Sequence, residues 1–345
     1  MSDLLSLNKD IRIVRLNEFD SKNNSDHLRK FKELVLENEP MYPSIRKWID
    51  NKVLPGLKSN ERVAFVGYQD ENPVVSAVVK RGKHSKFCHL KIGEHFQNLN
   101  LGEVFFAMMA LEVRNYAEEI HFTLPESLWE SKKDFFRSFG FNEVIESGTQ
   151  YRLFDPELKC SSSFLDVWKA ALDKLPKIIN QFSVGGYSMA NAILMSIKPE
   201  YADQIISGKK SVELRRKFSK KWIGSTVTLY ASAPRKALVG EAKIKNVISD
   251  NPNRIWEDFG VDIGCTKKEF DEYTLLTNEV YAIVLGDVKP YQTNMPVTQM
   301  SHLINTDLVP PQSYCTLENN KSWAEAVSVA ALLHGNFRHI PKIIV

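Results

Sequence analysis

The chain has 345 residues, of which 43% are hydrophobic, 25% charged and 10% aromatic. This composition is typical of a packed globular protein of about two domains, and it excludes collagen-like, coiled-coil and wholly disordered chains. No apolar run reaches the roughly 18–20 residues that a membrane-spanning helix requires, and the first residues lack a signal-peptide pattern, so we expect a cytoplasmic protein. The formal net charge is only +3, yet residues 201–250 alone carry +7. This excess predicts either a polyanion-binding surface or a solvated basic face.

The first part of the chain alternates strand and helix patterns. A β-hairpin is predicted over residues 62–82, and a strand over 87–93 precedes a helix over 101–119 whose apolar residues recur at helical spacing. A strand over 120–125 and a helix over 131–139 follow. Residues 1–158 are therefore predicted to form an α/β domain with a mixed sheet and flanking helices.

The composition changes after residue 158. Serines 161–163 are suited to cap a helix over residues 160–182, and we expect a linker helix and connector over 159–190. Residues 191–318 contain short β-rich runs separated by glycine and proline, which predicts a small β-barrel. We expect a helix and a tail over 319–345. The predicted fold class is thus α/β plus β-barrel.

Residues 87–144 resemble the core of the GNAT acetyltransferases, which place a strand, a phosphate-binding turn, a helix, a strand, a helix and a strand in this order. The turn pattern of that family is Arg/Gln-x-x-Gly-x-Gly/Ala, and this chain has QNLNLG at the matching positions. The resemblance implies acetyl-CoA or another acyl-CoA as cofactor, with its pyrophosphate at the amides that begin the helix. It assigns to that cofactor the strand residues Leu90 and Ile92 and the turn residues Gln97, Asn98, Leu99, Asn100, Leu101 and Gly102.

Three positions depart from the GNAT pattern. Phe136 stands where many members carry a tyrosine that protonates the departing thiolate, Trp129 where many carry an asparagine, and Asn100 where a glycine is usual. Glu94 and His95 follow the central strand and are the candidate general bases. The alternative for this pair is a surface carboxylate and a histidine at a strand end.

The segment GKKSVELRR resembles the hallmark of the ASCH domains, which are PUA-like barrels associated with RNA. Gly208, Lys210, Glu213 and Arg215 match the pattern Gly-x-Lys-x-x-Glu-x-Arg. Alternation along a strand puts Glu213 and Arg215 on one face, where they can pair. The cluster of Lys210, Glu213 and Arg215 is predicted to bind a phosphate or a base edge or to do acid–base work. The alternative is an ion-pair cluster that orders the mouth of the barrel.

The residues after the hallmark are strongly basic. Arg216, Lys217, Lys220 and Lys221 are predicted to contact a nucleic-acid backbone. The interleaved Phe218 and Trp222 are either stacking rings or core residues.

The function predicted from these features is acyl-CoA-dependent N-acyl transfer to RNA or a nucleotide-bearing substrate recruited by the ASCH domain. One alternative is a non-catalytic RNA-binding or regulatory protein with a degenerate GNAT-like domain. A minor alternative is an amidohydrolase acting on acetylated nucleosides, although Glu213 occupies the position of that group's threonine. The four cysteines and eight histidines show no metal-ligand spacing, so we expect no metal site.

Overall fold

The computed structural model describes residues 11–16, 25–69, 71–97, 100–147, 155–182 and 191–334. These residues form two units. The last element of the first unit is a helix that ends at Phe182, and the first element of the second unit is a strand that begins at Ala192. Each unit has its own sheet.

The first unit is built on a seven-stranded mixed sheet in the order β1-β2-β3-β4-β5-β7-β6. The pairing of β4 with β5 is parallel, and the other neighbouring pairs are antiparallel. The predicted hairpin is therefore confirmed as β2–β3. The strands are β1 (Ile11–Leu16), β2 (Arg62–Gln69), β3 (Asn72–Lys80), β4 (His84–Ile92), β5 (Glu119–Pro125), β6 (Glu143–Glu146) and β7 (Glu157–Ser163).

Helices cover both faces of this sheet. The first three helices and a π-helical turn (Ile49–Val53) pack on one face of β1–β3, around a core that includes Phe31 and Tyr68. The fourth helix lies against the other face and is buried on nearly all sides rather than on one, because all of its 13 residues except two glutamates are apolar or glycine. The helices are α1 (Ser25–Leu36), α2 (Ile45–Trp48), α3 (Leu54–Lys58), α4 (Leu101–Val113), α5 (Glu126–Arg137) and α6 (Phe164–Phe182).

The expected serine cap of the linker helix is only partly right. Residues 160–162 lie in β7, where they pair with β5, because Cys160 alternates with polar neighbours and fills the sheet core. Only Ser163 caps the helix, since its hydroxyl accepts a hydrogen bond from the Asp166 amide at 3.1 Å. Helix α6 therefore begins at Phe164.

The second unit is a curled six-stranded sheet in the order β13-β8-β10-β11-β12-β9. It wraps around a core that includes Met195, Leu229 and Ile283. Gly208 ends α7 with a φ of 76°, as expected of a helix-terminating glycine. The strands are β8 (Ala192–Ile197), β9 (Val212–Arg215), β10 (Thr226–Ala231), β11 (Ala237–Asp250), β12 (Val280–Pro296) and β13 (Tyr314–Thr316), and the helices are α7 (Pro199–Ile206), α8 (Pro252–Phe259), α9 (Lys267–Thr274), α10 (Val297–Ile304) and α11 (Lys321–His334).

The two aromatic residues of the basic segment belong to the barrel core. Phe218 is 8% exposed and Trp222 is 5% exposed, and both pack among the apolar side chains inside the curled sheet. The core alternative is therefore the correct one, because a buried ring cannot offer a face to a base.

Candidate functional site: an opening in the mixed sheet and a charged cluster in the barrel

Strands β4 and β5 run side by side for only three residue pairs. His84 pairs with Glu119, Ser85 with Ile120, and Lys86 with His121, and the two strands then part. We call the gap beyond these pairs the wedge. No strand formed by the described residues pairs with the backbone groups of β4 that face the wedge, and such groups normally require a partner. An extended ligand can satisfy them by lying beside β4 as an added strand would.

A β-bulge changes which side chains of β4 face α4, at the point where the wedge begins. The register of β3 and β4 shifts so that Cys88 has no partner opposite it. Beyond the bulge, Ile92 points toward α4, since its δ-methyl lies 3.6 Å from the place a Cβ would take at Gly102. Alternation puts Leu90 on the same face. The predicted cofactor residues Leu90 and Ile92 thus lie beside the wedge, half-buried.

The described residues of the turn before α4 are Gln97 and Asn100. Asn100 adopts a left-handed φ of 57°, which asparagine tolerates better than most residues, and α4 begins at Leu101. The exposed side chain of Gln97 reaches back to the Ile92 carbonyl at 3.5 Å. The first amides of this 13-residue helix carry the positive end of its dipole. Asn98 and Leu99 lie outside the described residues.

Gly102 has a packing role that the sequence did not indicate. A Cβ at this position would lie 3.2 Å from two ring carbons of Phe135. A side chain at residue 102 would therefore require the aromatic ring of Phe135 on α5 to shift by a few tenths of an ångström. A larger residue at Gly102 would disturb the contact between α4 and α5.

Phe136 lies in an aromatic cluster. Its ring stacks on Trp129 at 5.9 Å with the planes 6° apart, and it lies 4.9 Å from the ring of Phe122 on β5. Trp129 is 5% exposed, so the ring fills space between α5 and the sheet. The phenyl ring of Phe136 therefore packs against neighbouring rings and has no acidic proton to donate.

The two predicted general bases lie in a short turn after β4. Glu94 and His95 belong to a 3-10 turn over Glu94–Phe96, and Glu94 is exposed to solvent. The side chain of His95 is outside the described part of the structure. The structure therefore does not show the side chain of Glu94 or of His95 in the wedge.

A histidine that the sequence analysis missed lies on the central strand itself. His89 follows the bulge and points away from α4, with its Nε2 atom 2.8 Å from the hydroxyl oxygen of Ser76 and its ring 6.2 Å from that of Trp48. Burial, with a smaller contribution from Lys91, lowers the pKa of His89 to about 4. The imidazole is therefore neutral at physiological pH. The signal was a lone histidine in the middle of the apolar strand pattern FCHLKI.

The depressed pKa of His89 predicts a loss of stability in mild acid. The unfolded chain takes up a proton at this residue near pH 6.5, whereas the folded protein does so only near pH 4. Stability therefore falls as the pH drops from about 6.5 to about 4. Urea unfolding at pH 7 and pH 5 should show that His89→Gln removes about 2 kcal/mol of the wild-type difference between these pH values. The control His84→Gln changes a 70% exposed ring and should leave the difference unaltered.

The second unit brings Lys210, Glu213 and Arg215 together, as alternation predicted for the last two. One carboxylate oxygen of Glu213 lies 3.1 Å from the guanidinium of Arg215, and the other lies 3.3 Å from Lys210 Nζ. Lys210 Nζ also donates to the carbonyls of Val212 at 2.7 Å and Ile263 at 2.5 Å. The three ammonium hydrogens of Lys210 thus have three acceptors within the barrel, and none is left for a ligand.

Arg215 joins the two sides of the curled sheet. It lies on the edge strand β9 and donates to the carbonyl of Ser196 on β8 at 2.7 Å and to the hydroxyl of Ser313 at 3.4 Å. Its Nε atom is buried and has no hydrogen-bond partner among the described residues. The charged cluster therefore links the edge strand β9 to β8 on the other side of the curled sheet. The Nε–H group of Arg215 is left as a buried donor without an acceptor among the described residues.

The basic residues after the hallmark divide into two kinds. Arg216 donates twice to the carbonyl of Tyr273 and lies 4.9 Å from the centre of that ring. Lys217, Lys220 and Lys221 are exposed and form no ion pair with any described residue. Arg216 is therefore bonded within the protein, whereas these three lysines are exposed, with Lys221 Nζ 4.6 Å from the centre of the Trp222 ring.

Breaking the charged cluster should cost far more than breaking a surface ion pair. Glu213→Gln leaves the buried Lys210 and Arg215 without a counter-charge and should lower the free energy of unfolding by roughly 3–5 kcal/mol. Asp203→Asn removes an exposed pair with Arg235 and should cost at most about 1 kcal/mol. Urea denaturation of both variants measures this, and equal losses would contradict the assignment of a buried structural cluster.

Comparisons with known proteins found similarities to parts of the chain. A family model for a domain of unknown function, DUF365, matches residues 190–304. The chain is 27% identical over 129 residues to an ASCH domain-containing ribonuclease of Zymomonas mobilis, a match covering 37% of this chain and 86% of that protein. The crystal structure of an ASCH protein from Zymomonas mobilis is 26% identical, covers 41% of this chain and 96% of its own, and has a TM-score of 0.37. A structure assigned to the GNAT acetyltransferase family from Desulfovibrio desulfuricans is 13% identical, covers 45% and 99%, and has a TM-score of 0.36.

The chain thus has an α/β unit with a mixed sheet and a second unit with a curled sheet, and part of the chain is similar to an ASCH domain-containing protein.

Two further searches of the described residues gave negative results. None of the helices they form is both long and apolar enough to cross a membrane. Within the same residues, no three His, Cys, Asp or Glu side chains are grouped so that they could hold a metal ion.

Proposed function

We propose that the protein is an acyl-CoA-dependent N-acyltransferase whose ASCH domain recruits an RNA or nucleotide-bearing substrate. The observation that carries this proposal is the wedge, which begins where β4 and β5 part after Lys86 and His121. It lies next to the amides that begin α4. An extended thiol-bearing arm and a pyrophosphate need these two features side by side.

The residues around the wedge fit an acyl-CoA. The apolar side chains of Leu90 and Ile92 would line its arm, and the amides after Asn100 would receive its phosphates. The bound acyl-CoA supplies a thioester carbon that an amine can attack. His89, held by Ser76 and neutral, is a proton acceptor on the face opposite α4.

The recruiting role of the ASCH domain rests on its relative and on its charge. The Zymomonas relative is named a ribonuclease. Lys217, Lys220 and Lys221 present three free positive charges, which suits a phosphate backbone. These two observations support RNA as the partner.

Cleavage of RNA by the barrel is the second candidate function. It is favoured by the 27% identity over 86% of the ribonuclease. The committed hydrogen bonds of Lys210 weigh against that lysine as a free catalytic base. A non-catalytic protein is favoured by Phe136 alone, which has no proton to give to a leaving thiolate.

Filling the wedge should abolish cofactor binding. Leu90→Trp places a larger ring beside the parted strands, and we expect at least a tenfold weaker affinity for acetyl-CoA in calorimetric titration with an unchanged melting temperature. Leu128→Trp, at a 39% exposed position on α5, is the matched control and should bind as the wild type does. A wild-type protein that gives no binding heat with acetyl-CoA would contradict the proposal.

Removing the three free lysines should flatten the salt dependence of RNA binding. The logarithm of the binding constant falls with the logarithm of salt by about 0.7 per contact with a single strand. Changing Lys217, Lys220 and Lys221 together to alanine should reduce that slope by about 2 in fluorescence anisotropy with a labelled 12-nucleotide RNA. The triple arginine variant should keep the wild-type slope, and absence of RNA binding at low salt would refute the role of the barrel.

A further inference from the structure

Strands β11 and β12 carry two β-bulges that follow each other closely. In the first, Ala242 on β11 is opposed by two residues of β12, one of which, Asp287, adopts a left-handed φ of 48°. In the second, Lys245 is the extra residue of β11 and has no partner on β12. Bulges change the direction of side chains and are frequent beside functional sites.

The bulges bring two lysines of β11 to one face of the sheet. Lys243 is directly opposite Gly286, so both residues share that face. The stem of Lys245 lies over the same place, because a Cβ at Gly286 would be 2.7 Å from its Cε atom. The glycine therefore leaves room for the lysine stem. The ammonium group of Lys245 pairs with the carboxylate of the bulged Asp287.

A third lysine on this face adds positive charge that has no counter-charge. Lys289 is exposed and lies opposite Glu241, which alternation puts on the same face as Lys243. Glu241 is 4% exposed and accepts a hydrogen bond from the hydroxyl of Tyr291 at 3.0 Å. Neither Lys243 nor Lys289 forms an ion pair with a described residue. We call the surface formed by Lys243, Lys245 and Lys289 the bulge surface.

The lysines of the bulge surface act on one another. Burial and, after it, the positive charge of Lys289 lower the pKa of the half-buried Lys243. Folding thus brings like charges together, which costs free energy in the absence of a partner. A bound anion would offset that cost.

The bulge surface lies beside the exposed lysines that follow the hallmark. Two of them belong to a 3-10 turn over Lys220–Trp222. The residues after this turn bond to β11, since the amide of Gly224 donates to the carbonyl of Ile244 at 2.7 Å and the amide of Ile244 donates to that of Ser225 at 3.0 Å. Ile244 is the residue between the two lysines of β11. The two sets of lysines are therefore neighbours in the second unit.

We propose that the bulge surface is a second contact for the phosphate backbone of the RNA that the proposed function assigns to the second unit. This inference rests on that function and says where the strand lies, which is across the 3-10 turn and the bulges of β11 and β12. Clustered lysines gain free energy on binding phosphates, because they release the counterions condensed there. Such contacts position a strand without reading its sequence.

The surroundings of the bulge surface favour a nucleic acid over a lipid surface. A protein segment that lies on a membrane normally buries apolar side chains at the lipid boundary in addition to placing its lysines there. No large apolar side chain is exposed among the described residues of β11 and β12. The bulge surface therefore offers charge without an apolar anchor.

Salt titrations of paired variants test the bulge surface. Lys243→Ala combined with Lys289→Ala should lower the slope of the logarithm of the binding constant against the logarithm of salt by about 1.4, since each contact with a single strand contributes about 0.7. Fluorescence anisotropy of the full chain with a labelled 12-nucleotide RNA measures this slope. Lys267→Ala combined with Lys268→Ala is the matched control, because it removes the same charge from lysines of α9 that pair with acidic residues of that helix. The control should keep the wild-type slope.

The outcomes of these titrations separate the inference from the proposed function. An unchanged slope in the Lys243 and Lys289 variant, or an equal loss in the control, would overturn the inference while leaving RNA binding intact. Binding to phosphatidylserine vesicles that this variant loses, with its RNA slope unaltered, would assign the surface to a lipid and also overturn it. Absence of RNA binding by the wild type at low salt would instead refute the recruiting role of the second unit.

Chemical labelling of the wild-type chain tests the same surface without any substitution. N-hydroxysuccinimidyl acetate modifies accessible lysines, and mass spectrometry measures the rate at each position. Saturating 12-nucleotide RNA should slow modification of Lys243 and Lys289 at least threefold and leave Lys267 and Lys268 unaffected. Unchanged rates at Lys243 and Lys289 while the RNA is bound would contradict the contact.

Discussion

The parting of β4 and β5 after three residue pairs is the feature on which the proposed function of the first unit depends. A parallel pair that stayed together would satisfy its own backbone hydrogen bonds and leave no place for a ligand. The bulge at Cys88 follows the last pair with β5, and beyond it His89 and Leu90 point to opposite faces by alternation. The predicted cofactor residue Leu90 and the proposed proton acceptor His89 thus lie on the two sides of one strand.

The barrel uses its charges differently. Glu213 holds Lys210 and Arg215 in a buried cluster, and Arg215 ties β9 to β8 across the seam of the sheet. The alternative that the cluster orders the barrel is consistent with these contacts, since the lysine ammonium has its three acceptors inside the protein. In the proposed function, contact with RNA is made by the exposed Lys217, Lys220 and Lys221.

Local patterns predicted the elements of the fold better than the site. Alternation along β9 predicted the contact of Glu213 with Arg215, because it depends only on the pleat of one strand. Alternation alone could not find the bulge at Cys88, which depends on pairing with β3. His89 was missed for that reason, since its orientation is set by the bulge. The close packing of residue 102 against Phe135 was likewise hidden, because Phe135 comes from a helix that begins 24 residues later.

Hydrogen exchange along β4 tests the central claim most directly. The amides among residues 87–92 that face the wedge pair with no strand of the described residues, so a bound acyl-CoA arm should slow their exchange. Adenosine 3′,5′-bisphosphate lacks that arm and should protect only the start of α4. The account predicts protection of β4 by acetyl-CoA and not by the bisphosphate. Unchanged exchange at β4 under saturating acetyl-CoA would contradict it.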